Sequence, residues 1–258
     1  PLSFYYTYVV KAPGLMSEAA AYGTAMHNAL QRLFLNMQRS KPRQFPGQRI
    51  FIKYFDQEMD RLQMYFTPDA YLQRLEKGRH LLKQYYQQHY GSWHKRVVVE
   101  YTIRTAEVEG VPLTGTIDKL EFGKQQKVHI VDYKTGSHKA EKLRRPTANK
   151  PLGGIYWRQL VFYKLLYENF DQTGRIAKSA EIAYLDPDKN GAFVTKPIEF
   201  ELNDTQVVRE MIQDTYAKIK AHDFYQGCNE PDCHWCNFVK NHQLPEQISE
   251  PIIEDMDD

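Results

Sequence analysis

The segments GTIDKLEF (115–122) and HIVDYKTG (129–136) decide how this chain is expected to fold. They belong to two strand-like segments, VPLTGTIDKLEF (111–122) and KVHIVDYK (127–134), which flank the polar turn GKQQ (123–126) and therefore predict a β-hairpin. Because successive side chains on a strand alternate between its faces, Asp132 and Lys134 project to the same side. The turn between the strands brings Asp118 close to Asp132. The hairpin is therefore expected to gather two acids and one amine.

Two carboxylates this close repel each other unless a cation lies between them. Oxygen ligands favour a hard divalent ion such as Mg²⁺ or Mn²⁺, and such an ion can polarise a phosphate and lower the pKa of a bound water. The ammonium of Lys134 would then orient that water or stabilise the charge that develops on phosphorus. The residues alone leave a second interpretation open, a surface salt bridge between Asp132 and Lys134 of little energetic weight.

The rest of the chain predicts helices ahead of the sheet and further helices and strands after it. Ser17 is the expected N-cap of the first helix, which runs to about Arg39. Periodicity and turn signals predict further helices over 50–64, 67–90, 156–170 and 204–221, and further strands over 97–103, 180–185 and 193–202. The aromatic residues 1–10 are expected to dock onto the core. The fold class is therefore mixed α/β.

The composition of the 258 residues is that of an ordinary globular protein, with 42% hydrophobic and 26% charged residues. The sequence has no apolar run long enough for a membrane span and no secretory signal. It also lacks the P-loop, the Rossmann glycine pattern and the nucleophile-elbow motif. A motor ATPase, a Rossmann-type dinucleotide enzyme and an α/β-hydrolase are therefore not supported. The chain begins at Pro1 rather than Met, so we expect it to be processed or part of a longer protein.

Four short motifs occur in order along the chain. They are Gly23 with His27, Ile117–Asp118, the DYKTG run 132–136, and Gln159 with Tyr163. Together they resemble the PD-(D/E)XK nuclease superfamily, and specifically its RecB/AddB/Cas4-like branch, from residue 1 to about 238. The resemblance implies an α/β fold with a restriction-endonuclease-like core, in which helices flank a central mixed sheet and a helical segment precedes it.

The resemblance also implies roles for individual residues. The metal ligands would be His27, Asp118, Asp132 and the backbone carbonyl of Tyr133. The catalytic residues would be Asp118, Asp132, Lys134, Gln159, Tyr163 and, on the preceding strand, Glu100. Taken by themselves, His27 is as well explained as a packed histidine, Tyr163 as ordinary helix packing and Glu100 as a solvated residue.

A basic stretch follows the proposed active strand directly. Residues 134–150 hold six lysines and arginines against one acid, which favours salt-dependent, sequence-independent binding of DNA phosphates. The expected DNA-binding residues are Lys139, Lys142, Arg144, Arg145 and Lys150. The next aromatic side chains, which are candidates for stacking on exposed bases, are Tyr156, Trp157, Phe162 and Tyr163. The alternatives are a mobile solvated loop and aromatic residues of the core.

All three cysteines lie close together, at Cys228, Cys233 and Cys236. This spacing indicates a metal or cluster site in a reducing compartment rather than a disulfide framework. His234 or His242 could complete a zinc site. The resemblance implies a [4Fe–4S] cluster whose fourth cysteine is absent from this chain and lies just upstream of its first residue. Plain reduced thiols are the remaining alternative.

Charge is unevenly distributed along the chain, with an acidic C-terminal stretch after a basic body. Six of its 32 acids lie in residues 241–258, which contain no lysine or arginine, so the remainder is basic. A basic body suits a polyanionic partner, although a solvated surface explains the charge alone equally well. We expect a nuclease domain over 1–240 and a disordered acidic tail after it. Within the domain we expect a helical part over about 14–95, a catalytic core over about 96–221 and a cysteine segment over 222–240.

These features predict a metal-dependent deoxyribonuclease, that is, a phosphodiester hydrolase, with exonuclease activity expected. It would be the nuclease domain of a DNA repair and recombination helicase–nuclease. Its substrate would be DNA with single-stranded ends, its partner a helicase module in the same or another chain, and its location the bacterial cytoplasm, at the nucleoid and away from membranes. The rivals are a non-catalytic DNA-binding or scaffold module that retains the nuclease fold, and a zinc-stabilised interaction domain.

Overall fold

The computed structural model of the protein describes residues 2–12, 14, 16–136, 138–228 and 231–242. These described residues fall into two compact units, one within 16–210 and a smaller one that joins those within 1–15 to those within 211–242. The expected disordered tail lies, from residue 243 onward, outside the described residues. The domain boundaries inferred from the sequence stay a prediction.

The secondary structure follows the predicted order, with changes at the ends of elements and with two short helices, near the two ends of the chain, that were not predicted. The helices are α1 (Leu2–Phe4), α2 (Glu18–Arg39), α3 (Gln48–Arg61), α4 (Pro68–His89), α5 (Ile155–Glu168), α6 (Asp204–Lys220) and α7 (His234–Asn241). The strands are β1 (Val97–Val108), β2 (Val111–Phe122), β3 (Lys127–Lys134), β4 (Ile176–Tyr184) and β5 (Thr195–Glu199). A short 3-10 helix covers Ala140–Leu143 between β3 and α5. None of the described helices combines the length and the apolar character that crossing a membrane requires.

Side-chain caps fix where two long helices begin. The Oγ of Ser17 accepts a hydrogen bond from the N–H of Ala20 at 3.2 Å at the start of α2, as predicted. The Oγ1 of Thr67 accepts from the N–H of Ala70 at 3.3 Å at the start of α4. These caps satisfy backbone donors that have no partner within the helix.

Five strands form one mixed sheet in the order β1-β2-β3-β4-β5. The pairs β1–β2, β2–β3 and β4–β5 are antiparallel, and β3–β4 is parallel, with α5 in the crossover between them. The predicted hairpin of β2 and β3 is confirmed. A second hairpin joins β1 to β2 through Glu109 and Gly110, whose φ angles of 52° and 81° are those a two-residue hairpin turn requires. The predicted α/β class, with helices flanking a central mixed sheet, is confirmed.

Both faces of the sheet are buried. On one face, Val131 and Tyr133 of β3 belong to a core shared with α2, α3 and α4. On the other face, Ile130 of the same strand belongs to a core shared with α5. A strand covered on both faces has an almost continuous run of apolar residues, so a charged residue near the end of β3 has helices on either side of it.

The strands β2 and β3 are paired only along the last four residues of β2. Their last paired positions are Lys119 and Val131, whereas β3 stays paired with β4 as far as Lys134. The main chain of β3 beyond Val131 therefore faces a gap on the side of β2. We call this gap, which has Asp118 on one side and Asp132 on the other, the fork.

The smaller unit is held together by aromatic rings. Tyr6 lies nearly parallel to Trp235 of α7, with 5.0 Å between the ring centroids, and Phe4 stacks on Phe224 at 5.5 Å. The N-terminal aromatic residues, expected to dock onto the core, thus pack within this unit on the segment that carries the cysteines. Local sequence could not reveal this pairing, because the partners lie at opposite ends of the chain.

Candidate active site

Asp118 is held at the fork by the main chain of the neighbouring strand. Its Oδ2 accepts a hydrogen bond from the N–H of Tyr133 at 2.8 Å. This N–H is available because β2 has already diverged from β3, so the carboxylate takes the place that a strand carbonyl would otherwise occupy. One carboxylate oxygen is thereby fixed beside β3 without the help of another side chain.

His27 and Glu100 approach Asp118 from two other elements. The Nδ1 of His27, on α2, lies 3.5 Å from Asp118 Oδ2, and one ligand atom of each of the three residues lies within 4.8 Å of the others. Glu100 has a φ of 49° in the middle of β1, a left-handed conformation that costs about 1–2 kcal/mol for a residue with a side chain. Strain of this kind is typical of functional sites. Glu100 is half-buried, so solvent reaches only part of its side chain.

Asp132 and Lys134 lie on the same side of β3, as alternation predicts. The side chain of Asp132 is 1% exposed, and its Oδ2 lies 2.6 Å from the Nζ of Lys134, which is 24% exposed. The alternative of a surface salt bridge is therefore wrong, because one partner is fully buried. Lys134 therefore contacts a carboxylate that solvent does not reach.

Gln159 and Tyr163 face the acids from α5, one helical turn apart. The Nε2 of Gln159 donates a hydrogen bond to the hydroxyl of Tyr163 at 2.9 Å. Burial, with the charges of Asp132 and Asp118 adding to it, raises the pKa of Tyr163. The hydroxyl therefore keeps its proton and serves as a hydrogen-bond donor next to the acids.

Burial makes negative charge costly at this site. It raises the pKa of Asp132 to about 6, with the charge of Asp118 adding to the shift and Lys134 opposing it. It raises the pKa of Glu100 to about 7, again with Asp118 adding, and it raises the pKa of Asp118 against the opposing effects of the Tyr133 N–H and Lys134. Burial lowers the pKa of the His27 imidazole, which leaves the ring neutral and able to act as a ligand near neutral pH.

The donor set fits a hard divalent cation. Carboxylate oxygens of Glu100 and Asp118 and a nitrogen of His27 lie within 4.8 Å of one another, and a positive charge among them would stabilise acids whose pKa values burial has raised. Such donors suit Mg²⁺ or Mn²⁺. Of the four metal ligands expected from the sequence, the structure brings His27 and Asp118 into this group and adds Glu100. Asp132 lies outside the group and pairs with Lys134.

The structure does not support Arg145 as a phosphate-binding residue. Its guanidinium forms a two-pronged ion pair with Asp204, with Nε–Oδ1 at 3.0 Å and Nη2–Oδ2 at 3.1 Å. Asp204 is 6% exposed, and Glu201 lies 3.2 Å from the same guanidinium. Arg145 is therefore committed to neutralising a buried acid, which anchors the basic stretch to the start of α6.

The other basic residues of the stretch differ in exposure. Lys139, Arg144 and Lys150 are exposed, and within the described ranges no acid forms an ion pair with them. Lys142 is half-buried, and its Nζ lies 4.8 Å from the centroid of the Tyr156 ring.

The four aromatic residues considered for base stacking also differ. Trp157 is 0% and Tyr163 9% exposed, so both belong to the core and cannot stack on a base. Phe162 and Tyr156 are half-buried. Tyr156 lies at the site itself, with its ring centroid 5.5 Å from the Nζ of Lys134. Tyr156 was not predicted as a residue of the site, although its position one turn before Gln159 on α5 is a signal that indicates it.

The cysteines form a second candidate site, within the smaller unit. Their three sulfur atoms lie within 4.8 Å of one another, and those of Cys228 and Cys236 are 3.6 Å apart. Hydrogen bonds, first of all from the Cys236 backbone, lower the pKa of Cys233 to about 7, which favours the thiolate form that binds metals. This set fits zinc or an iron–sulfur cluster. In the described part of the chain, neither His234 nor His242 places a nitrogen in this group.

The sequence matches one known protein family. The pattern of the PD-(D/E)XK nuclease superfamily matches residues 1–240, whereas no curated protein matches the sequence. The crystal structure of SSO0001 is similar at 14% sequence identity, covering 84% of this chain and 95% of that one, with a TM-score of 0.36, and so weak a likeness carries no conclusion. The family match runs through both strands of the fork and on into the cysteine segment, which shows that the chain belongs to the PD-(D/E)XK nuclease superfamily.

Proposed function

We propose that the protein is a metal-dependent deoxyribonuclease of the RecB/AddB/Cas4-like branch, which hydrolyses phosphodiester bonds. One observation carries the proposal: the buried Asp132 is paired with Lys134 beside Asp118 at the fork. Burying two acids side by side is costly for the folded protein. Perturbed acids of this kind are typical of catalytic sites, and a module that only binds DNA has no use for them.

The proposed metal ligands are His27, Glu100 and Asp118, which lie together, and, as the motif set implies, Asp132 and the backbone carbonyl of Tyr133. A divalent ion bound there would supply positive charge to the scissile phosphate and lower the pKa of the attacking water. The N–H of Tyr133 keeps Asp118 oriented, at the 2.8 Å distance described above. The neutral His27 ring closes the site on the side of α2.

The remaining residues act on the substrate and on Asp132. Lys134, which is partly exposed beside a buried acid, orients the water or stabilises the charge that develops on the phosphate. Tyr163, held by Gln159, donates toward Asp132 and keeps its carboxylate in place. Water attacks the phosphorus in line with the leaving oxygen, and the bond between phosphorus and that oxygen breaks.

The finer features of the proposal come from the motif set and the charge pattern. Exposed Lys139, Arg144 and Lys150, with Lys142, would bind backbone phosphates in any sequence. We propose DNA with single-stranded ends as the substrate, exonuclease action, and a role in DNA repair and recombination beside a helicase module in the cytoplasm, at the nucleoid. The domain boundaries given in the sequence analysis, with a nuclease domain over 1–240, belong to the same proposal.

A second metal site is proposed at the cysteines. The close approach of Cys228, Cys233 and Cys236 supports a [4Fe–4S] cluster with a fourth cysteine from outside this chain, or zinc. Metal analysis of the protein, and of a version extended upstream, distinguishes the two through iron and sulfide against zinc. A metal-free extended protein would leave the cysteines as plain thiols.

The nuclease proposal is tested by digestion of end-labelled single-stranded and double-stranded DNA with Mg²⁺ or Mn²⁺. We expect metal-dependent cleavage by the wild type, and we expect Lys134→Ala to abolish cleavage while DNA binding stays nearly intact. Lys124→Ala, which removes an exposed lysine from the turn between β2 and β3, is the matched control and should cleave normally.

Three other outcomes are informative. DNA binding by the wild type without cleavage under either metal would favour the non-catalytic DNA-binding or scaffold module. Loss of folding on removal of zinc, without DNA binding, would favour the interaction domain. Equal cleavage by the wild type and Lys134→Ala would contradict the mechanism.

A further inference from the structure

Tyr156, in the first turn of α5, lies between the candidate catalytic strand and the basic stretch. The Nζ of Lys134 is 5.5 Å from the centroid of its ring, and the Nζ of Lys142 is 4.8 Å from the same centroid. Lys142 also donates a hydrogen bond to the Tyr156 hydroxyl at 3.4 Å. One ring therefore contacts both the lysine proposed for catalysis and a lysine proposed for DNA binding.

The backbone of Lys142 is fixed against the start of α5. A Cβ atom on Gly154 would lie 2.2 Å from the carbonyl oxygen of Lys142 and 2.6 Å from that of Glu141, so only glycine permits this approach. The N–H of Gly154 donates to the carbonyl of Arg144 at 2.7 Å. Packing of the main chain thus fixes the backbone of Lys142 next to the first turn of α5, from which its side chain extends to Tyr156.

The charges around the ring are not balanced. Two ammonium groups repel each other, and the negative face of one ring offsets only part of that repulsion. Lys134 has Asp132 as its acid partner, whereas among the described residues no acid forms an ion pair with Lys142. A phosphodiester anion beside Lys142 and the Tyr156 hydroxyl would supply the missing negative charge and accept hydrogen bonds from both groups.

We propose that Lys142 and the Tyr156 hydroxyl bind the backbone phosphate next to the scissile one, and that the Tyr156 ring holds the Lys134 ammonium in place. Tyr156 is then a positioning residue that links substrate binding to Lys134. This inference rests on the proposed nuclease function and specifies the group recognised, an internucleotide phosphate rather than a base. Binding at this position is therefore independent of sequence.

Three variants separate the parts of the proposal. Tyr156→Phe removes the hydroxyl and keeps the ring, Tyr156→Leu removes both, and Lys142→Ala removes the cation. Tyr90→Phe, which removes the hydroxyl of an exposed tyrosine at the end of α4, is the matched control. The probe is a fluorescently labelled single-stranded oligonucleotide, bound with Ca²⁺ in place of Mg²⁺ for affinity and digested with Mg²⁺ for turnover.

We expect Tyr156→Phe and Lys142→Ala each to raise the Kd in Ca²⁺ about ten-fold, the usual weight of a hydrogen bond to a charged group. The double variant should lose little more than either single one, because both groups hold one phosphate. In Mg²⁺, Tyr156→Phe should raise KM and leave kcat unchanged. Tyr156→Leu should also lower kcat about ten-fold or more, since Lys134 loses its support.

A methylphosphonate at the linkage next to the cleaved bond identifies the phosphate directly. It should slow cleavage by the wild type about ten-fold and have little further effect on Tyr156→Phe or Lys142→Ala. Additive losses in the double variant, or equal sensitivity of all proteins to the methylphosphonate, would overturn the shared phosphate site. An unchanged kcat in folded Tyr156→Leu would overturn the positioning role. A wild type that binds but does not cleave would sink the nuclease function, while the binding measurements in Ca²⁺ would still test the phosphate site.

Discussion

At the scale of single residues, the buried acids of the candidate site lower the stability of the fold when they carry their charge. Asp132 has a pKa of about 6 and Glu100 one of about 7, both raised chiefly by burial. A raised pKa means that the folded protein holds the proton more tightly than the unfolded chain. In their protonated form these groups stabilise the fold, and the contribution is complete at pH values below the ordinary carboxyl pKa. It is lost as the pH rises through about 6 for Asp132 and about 7 for Glu100. Positive charge bound at the fork would restore it.

The substitution Asp132→Asn tests this dependence. In EDTA, we expect the wild type to lose about 1–2 kcal/mol more of its free energy of unfolding than the variant between about pH 5 and about pH 8, since one unit of pKa corresponds to about 1.4 kcal/mol. Urea unfolding at the two pH values measures the difference. Adding Mg²⁺ at the higher pH should stabilise the wild type and not the variant. Parallel pH profiles for the two proteins would contradict the prediction.

Residue positions were predictable where they follow from local rules. Alternation along β3 and the hairpin turn suffice to bring Asp132 and Lys134 to one side and Asp118 beside them. The orientation of Glu100 was not predictable, because its φ of 49° breaks the alternation of β1 and arises only in the packed sheet. The ion pair between Arg145 and Asp204 was not predictable for another reason, because Asp204 lies 59 residues further along the chain.

At the scale of elements, two helices of the larger unit contain a glycine in surroundings of different density. A Cβ on Gly23, in α2, would meet only the Oγ1 of Thr135 at 3.5 Å, an ordinary contact. A Cβ on Gly78, in α4, would lie 2.1 Å from the ring of Phe55. Packing inside the protein therefore requires glycine at position 78 and does not require it at position 23.

Alanine substitution should affect the two helices in opposite directions. Gly23→Ala should raise the free energy of unfolding by about 0.5–1 kcal/mol, because alanine favours a helix. Gly78→Ala should lower it by about 1–3 kcal/mol, because the Phe55 ring must move. Urea unfolding of both variants measures the changes, and two changes of the same sign would refute the argument. A more stable Gly23→Ala protein that no longer cleaves DNA would indicate that the space beside Thr135 belongs to the substrate.

The order of the elements was predictable, and their exact lengths were not. Periodicity and the caps at Ser17 and Thr67 are local signals, so they locate the long helices. The length of β4 depends on its partner: it begins at Ile176, opposite Lys127 of β3, several residues before its own sequence predicts a strand. The basic stretch after β3 could be taken for a mobile loop because its anchors, at Asp204 and Gly154, lie beyond it.

At the scale of the whole molecule, exposed basic residues occur at both ends of the sheet, and only one end holds the candidate site. The residues next to the site are Lys139, Arg144 and Lys150, and those at the opposite end are Lys124, Lys127 and Lys178. Both sets carry the same charge. They therefore allow local phosphate binding to be separated from the effect of net charge.

Alanine substitution of the three residues next to the site should weaken DNA binding and flatten its salt dependence. We expect the slope of log K against log salt concentration to fall in magnitude by about 2–3, since each phosphate contact contributes about 0.7–0.9. The triple alanine variant at the opposite end changes the net charge equally and should leave the slope nearly unchanged. Fluorescence anisotropy over a range of salt concentrations measures both, and equal slopes for the two variants would count against a local binding surface.

The division into two units was the part of the molecule least accessible to sequence reasoning. Hydrophobic patterns place residues 1–10 against some apolar surface, but they do not identify Trp235 and Phe224 as the partners of Tyr6 and Phe4. Contacts between distant segments depend on the complete fold. Local rules therefore predicted the sheet with its flanking helices, and they did not predict how the two ends of the chain pair.

Tyr133 has two separate roles, one for its ring and one for its backbone amide. Its ring is sequestered at 2% exposure among the helices on one face of the sheet, whereas its amide hydrogen steers an acid at the fork. Every amino acid but proline has that amide. Replacing the ring with another bulky apolar group can therefore change the stability of the protein and leave the hydrogen bond to Asp118 in place. The side chain at position 133 is thus open to substitution, although it lies between Asp132 and Lys134 in the sequence.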